Sequence, residues 1–281
     1  MTQGRTEKNS LLCPNCRKLV SADEPFCPYC GLVKPGSRWR TLSGRFPVDS
    51  VNAVKILICV NVAYFIFSLI LNPRAMTFSM NPLMFLSPSE NSLFVLGATG
   101  TVPIAGFHRW WTLITASFLH GGILHIFFNM AALAQLGMFV LAEFGFSRFT
   151  IIYLVSGVVG FYLSYLAGIP FTIGASASIC GLIGAILYYG KSRGGFYGQA
   201  IYRQALGWIV GLALFGLLVP GINNWAHGGG LTSGILLSFL MGYQEKKPES
   251  FLNHALAIAV VAITGLVLLW TCIVAAYLAF S

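Results

Sequence analysis

Three stretches of this chain carry side chains able to perform acyl transfer. "GASASICGLIG" (174–184) holds Ser176 and Ser178, "WAHGGGLTSG" (225–234) holds His227, and "HGGILHIFFNM" (120–130) holds His125 and Asn129. A serine hydroxyl is a poor nucleophile until a base accepts its proton, and the tetrahedral intermediate then needs hydrogen-bond donors for its oxyanion. His227 meets the first need, and His125, Asn129 and backbone N–H groups at a helix start meet the second. All eight acids (Glu7, Asp23, Glu24, Asp49, Glu90, Glu143, Glu245 and Glu249) lie outside the apolar segments, so the available chemistry is a dyad and not a Ser-His-Asp triad. Ser176 and Ser178 fall about 200° apart on a helix, so one of them can face His227, and periodicity does not choose.

Each stretch also has a plainer reading. Serine in a membrane helix commonly bonds its own backbone, Gly230 to Gly234 is a GxxxG helix contact, and His125 and Asn129 at i and i+4 can satisfy each other. What favours chemistry is depth: His125, Ser176 and His227 each lie within about the first turn of an apolar segment, and the segments enter from the same side.

A second constellation is Cys13, Cys16, Cys27 and Cys30, in "CPNC" and "CPYCG", spaced C-x2-C-x10-C-x2-C. Four thiolates on two tight turns suit one tetrahedral structural zinc, and a reducing compartment favours metal over disulfides. Residues 1–31 therefore read as a zinc-ribbon module too short to fold without its Zn2+, with a cytoplasmic protein as its candidate partner. Residues 32–50 read as a basic juxtamembrane linker lying on anionic lipid.

The elements that must position these groups are membrane helices. Of 281 residues, 56% are hydrophobic and 9% charged, which excludes an ordinary soluble globule. Seven segments are apolar enough to cross: 53–72, 123–141, 150–167, 174–190, 205–219, 225–242 and 254–280. With the N-terminus placed in the cytoplasm, only Arg74 and Arg109 of the 17 Lys and Arg lie outside, a strong positive-inside bias that puts the C-terminus outside. The net charge of +9 is thereby explained by topology and headgroups, and no nucleic acid is expected. The first 50 residues hold no apolar run resembling a signal peptide, and a prokaryotic plasma (inner) membrane is the expected location.

Taken together, "GASASICGLIG", "AHGGGLTSG" and "HGGILHIFFN", with "RWWTLITASFLHGG" ahead of it, resemble a rhomboid intramembrane serine protease from about Arg109 to Gly234. The resemblance implies an all-α polytopic membrane fold: a six-helix core over 51–245 and an additional C-terminal transmembrane helix over 246–281. It implies Ser176 as nucleophile, His227 as general base, and His125 and Asn129 beside the Ser176 N–H in the oxyanion hole. It also implies Gly230 and Gly234 as the close contact between the sixth and fourth helices, substrates that are transmembrane proteins of the bilayer, and no cofactor in catalysis. This chain departs from the family pattern at Ala177, where Gly is usual, at Cys180, where an aromatic packs on the histidine, and at Thr112, where the first loop carries Arg. A rhomboid-like protein that binds transmembrane helices without cutting them is the alternative reading.

Overall fold

A computed structural model describes residues 10–13, 18–36, 50–73, 77–78 and 85–280. The chain divides at Asp49/Ser50 into two units. In the first, β1 (Ser10–Leu12) and β2 (Leu19–Ser21) pair antiparallel, Leu11 opposite Val20. Beneath this hairpin Cys13 and Cys27 are buried with Val20, and Gly31, at φ 73°, turns the chain so that the Cys27 N–H reaches Leu32 O at 2.7 Å. Cys16 and most of the expected linker lie outside the described residues.

The second unit is helical. Long helices coincide with all seven expected segments: α1 (Ser50–Ile70), α4 (Ile123–Phe144), α5 (Phe146–Leu166), α6 (Ser176–Arg193), α7 (Gly195–Leu218), α8 (Asn224–Met241) and α9 (Phe251–Phe280). Five are long and apolar enough to cross a bilayer, namely α1, α4, α5, α7 and α9. Of the other two, α6 is buried on most of its faces, packing on α4, α5, α7 and α8, while α8 buries its Gly- and Ser-rich face against α5 and α6 and leaves Trp225, Leu236, Phe239 and Leu240 exposed. Composition follows burial in part: α7 and α9 expose most of their apolar surface, whereas the small and polar residues of α6 and α8 pack against neighbouring helices.

Between α1 and α4 runs a long first loop. It holds a short β3–β4 pair (Thr77–Phe78, Phe85–Ser87), α2 (Glu90–Leu96), a π-helical turn (Val102–Gly106), α3 (Thr112–Thr115) and a 3-10 turn (Ala116–Phe118). Ser89 caps α2 by accepting from Ser92 N at 3.1 Å. This loop docks on the segment before α6: Thr99 and Thr172 exchange backbone hydrogen bonds, Thr101 N donates to Ile169 O, and Gly174 N donates to Ala116 O at 2.8 Å. The chain is a multi-pass membrane protein.

Candidate active site

The site lies at the end of the bundle where α4, α6 and α8 begin. Ser176 is the first residue of α6, His125 the third of α4 and His227 the fourth of α8. The Ser176 hydroxyl lies 2.8 Å from His227 Nε2. Ser178 turns the other way: it is fully buried, its Oγ has no hydrogen-bond partner among the described residues, and it faces Gly157 of α5 beside Ser117. Periodicity left this choice open, and the packing of α6 against α5 and α8 makes it.

That Ser176–His227 distance depends on two helices approaching backbone to backbone. A Cβ at Gly230 would meet Ala177 O at 2.1 Å, and one at Gly234 would meet Gly181 O at 2.0 Å, so only glycine permits this crossing. Asn223 fixes the start of α8. Its Oδ1 accepts from Ala226 N at 3.0 Å, while its Nδ2 donates to Ser164 Oγ at 2.6 Å and Thr172 Oγ1 at 3.0 Å. One side chain thereby caps α8 and ties it to the end of α5 and to the segment before α6.

On the other side of Ser176, Gly121 N donates to His125 Nδ1 at 3.2 Å. A neutral imidazole has one N–H, so this contact leaves the proton on Nε2. Gly174 adopts φ +127°, and a Cβ there would stand 2.8 Å from His125 Nε2 and 3.7 Å from Ser176 Oγ, so donor and hydroxyl flank the same small space. No side chain caps α6, and the first-turn N–H groups of a helix, Ser176 N among them, have no partner inside it. Asn129 is buried, but its Nδ2 donates to His125 O, one turn back on α4, at 2.8 Å. Its amide is therefore not aimed at Ser176 here.

Residues 108–244 match the family model described as a rhomboid domain. Across that span the chain carries a rhomboid domain. Similar proteins include RHOMBOID-like protein 1 of Arabidopsis thaliana, 37% identical over 164 residues that make up 57% of this chain and 41% of that protein. Rhomboid protease GluP of Bacillus subtilis is 33% identical over 160 residues, 57% of this chain and 29% of that protein. Inactive RHOMBOID-like protein 8 of Arabidopsis thaliana is 32% identical over 158 residues, 55% of this chain and 44% of that protein. The chain spans between 41% and 60% of the length of the first four relatives it matches.

In this rhomboid domain the departures from the usual pattern have local explanations. Ala177 is fully buried, and its methyl fits because residue 160 on α5 is glycine: a Cβ at Gly160 would approach it to 3.0 Å. Cys180 lines an apolar cavity of about 310 Å3 between α6, α7 and α8, together with Ile183, Leu212, Leu231 and His227. The Thr112 hydroxyl donates to Arg109 O at 2.7 Å and lies 3.0 Å from Thr99 Oγ1, and Arg109 brings a guanidinium to the first loop. Arg109 donates to Phe94 O and Val95 O at the end of α2 and lies 4.5 Å over the rings of both Phe94 and Trp111. Trp110 packs edge-on to Tyr165 at 5.3 Å and Trp111 to Trp270 at 4.9 Å.

His120, just ahead of α4, is fully buried and packs edge-on to His125 at 5.1 Å. Burial, and then the neighbouring His125, hold its pKa well below the ordinary imidazole value, so it stays neutral. Asn223 and Arg109 are the positioning residues that sequence reading passed over. The only signal for Asn223 was an Asn preceding the "NWAH" run at an N-cap position, a common pattern.

In the first unit, the sulfurs of Cys13, Cys27 and Cys30 lie within 4.8 Å of one another, Cys13 Sγ and Cys30 Sγ at 3.7 Å. Thiolates about 2.3 Å from one tetrahedral zinc stand about 3.8 Å apart, so this donor set fits a metal.

Proposed function

We propose that this protein is an intramembrane serine endopeptidase, cutting peptide bonds in or near transmembrane helices of other membrane proteins through a Ser176–His227 dyad. The observation carrying this reading is the 2.8 Å contact from Ser176 Oγ to His227 Nε2 at the end of a bundle shared by three polar helix starts. Ser176 Oγ attacks the scissile carbonyl carbon as its proton passes to His227 Nε2, and the same proton then goes to the departing amine. Water repeats the sequence on the acyl-enzyme. His227 Nδ1 has no hydrogen-bond partner among the described residues, consistent with a base oriented by packing and not by a carboxylate.

The oxyanion receives the His125 Nε2–H and the Ser176 N–H. Asn129 joins when its side chain turns from His125 O, a change that exchanges one hydrogen bond for another. In this reading the His125 and Ser176 donors stand ready before the charge forms, and removal of one such donor typically lowers kcat by about 100–1,000-fold.

Zn2+ held by Cys13, Cys16, Cys27 and Cys30 would close the ribbon fold and supply no step of the hydrolysis. The basic residues fit a cytoplasmic N-terminus and an external C-terminus in a plasma (inner) membrane, with the ribbon available to a cytoplasmic protein partner. The second reading, a helix-binding protein that does not cut, draws on the engaged Asn129 amide and on the similarity to a relative named inactive.

The test is a fluorophosphonate probe on protein in mild detergent, with the modified residue mapped beside Ser176→Ala and His227→Ala. Label on Ser176 that is lost in both variants supports the dyad. A folded protein without label assigns the chain to the non-cutting reading.

A further inference from the structure

The additional helix α9 is bound to the bundle at both ends, and its far end reaches the first loop. At the near end the fully buried Arg148 donates its backbone N–H to Glu249 Oε1 and its guanidinium to Pro248 O, both at 2.9 Å, while Ser147 Oγ lies 2.6 Å from His254 Nδ1. About 24 Å further along α9, at 1.5 Å per residue, come Trp270 and Thr271. The ring of Trp270 stands edge-on to Trp111, with centroids 4.9 Å apart and planes at 85°. Thr271 Oγ1 lies 2.8 Å from the Tyr64 hydroxyl, which lies 2.9 Å from Leu96 O at the end of α2. Lipid tails are as apolar as leucine, so helices in a bilayer associate through specific packing and hydrogen bonds. A helix serving only as an anchor would need neither cluster.

From Trp111 the contacts run on to the site. Trp111 is followed directly by α3, Thr115 of α3 donates to Gly97 O at 2.8 Å, and the next carbonyl, Ala116 O, accepts from Gly174 N at 2.8 Å. Gly174 is the residue whose backbone sits against both His125 Nε2 and Ser176 Oγ. We propose that Trp270 and Thr271 are positioning residues for hydrolysis: α9 braces the first loop, and the loop holds Gly174 at the position that opens the oxyanion side of Ser176. This inference rests on the protease reading and extends it to a helix beyond the 108–244 match. The physical warrant required is coupling, not adjacency.

The experiment uses the full chain in detergent, with Trp270→Ala, Trp270→Phe, Thr271→Val, Trp111→Ala and the Trp111→Ala/Trp270→Ala double variant. Two readouts are taken: the rate of fluorophosphonate labelling at Ser176, and hydrogen exchange followed by peptide mapping. The expected result is labelling about tenfold slower in Trp270→Ala, restored in Trp270→Phe, with the double variant no slower than the slower single variant. Exchange should rise at 99–118 and 172–175 and stay unchanged in α5 and α8. Wild-type labelling and exchange in Trp270→Ala overturn the proposal, as does exchange that rises uniformly across the bundle. If Trp270→Ala does not fold, Thr271→Val decides by the same two readouts. If the wild type takes no label, the protease reading fails, while the exchange pattern still judges the brace.

Discussion

Gly230→Ala is the sharpest available perturbation of the dyad, because a single methyl is aimed at a backbone atom that cannot move alone. The new Cβ would lie 2.1 Å from Ala177 O, one residue past Ser176, whereas an ordinary carbon–oxygen contact needs about 3.3 Å. Helix α8 must therefore withdraw from α6 by roughly 1.2 Å, and Gly230 is less than one turn from His227. Added to the 2.8 Å Oγ–Nε2 distance, a displacement of that size takes the pair to about 4 Å, beyond hydrogen-bond range. Misplacement by 1 Å can cost about 100-fold in rate, equivalent to roughly 2.7 kcal/mol of barrier. The control is its neighbour: a Cβ at Gly228 meets nothing within 4 Å, and alanine there gains up to about 1 kcal/mol of helix propensity. The assay is the second-order rate of fluorophosphonate labelling at Ser176, with thermal unfolding measured alongside. We expect Gly230→Ala to label about 100-fold more slowly and Gly228→Ala to label as wild type. Equal rates in the two variants would refute the claim that backbone contact between α6 and α8 sets the dyad distance.

Two further outcomes follow from the geometry. Cys180→Phe should place a ring in the cavity beside His227 and stabilise the protein by about 0.5–2 kcal/mol without loss of labelling, as measured by thermal unfolding; a destabilised variant would mean that the cavity is not free to accept it. Atomic absorption should find one zinc per chain, reduced in Cys13→Ser or Cys27→Ser, with Ser176 labelling unchanged because the donors lie in a separate unit from the site; full zinc content in both variants would remove the ribbon reading.

The residues themselves announced the candidate groups. Ionisable and hydroxyl side chains are costly in lipid, so His125, Ser176 and His227 stood out against apolar surroundings, and their shared depth followed from counting spans. The seven apolar runs likewise became helices, since a bilayer requires every backbone group to be satisfied internally. What tertiary structure alone decided is illustrated by "GGG" at 228–230. The residues are identical, yet a Cβ meets nothing at the first, Gly160 Cα at 2.9 Å at the second and Ala177 O at 2.1 Å at the third. In the same way Ser176, not Ser178, faced His227, Asn129 turned to its own helix, and Trp111 met Trp270 on α9. Local pattern specifies which groups are present and at what depth along a helix. Rotation and separation between helices come from contacts distant in sequence, and a one-dimensional pattern holds no record of them.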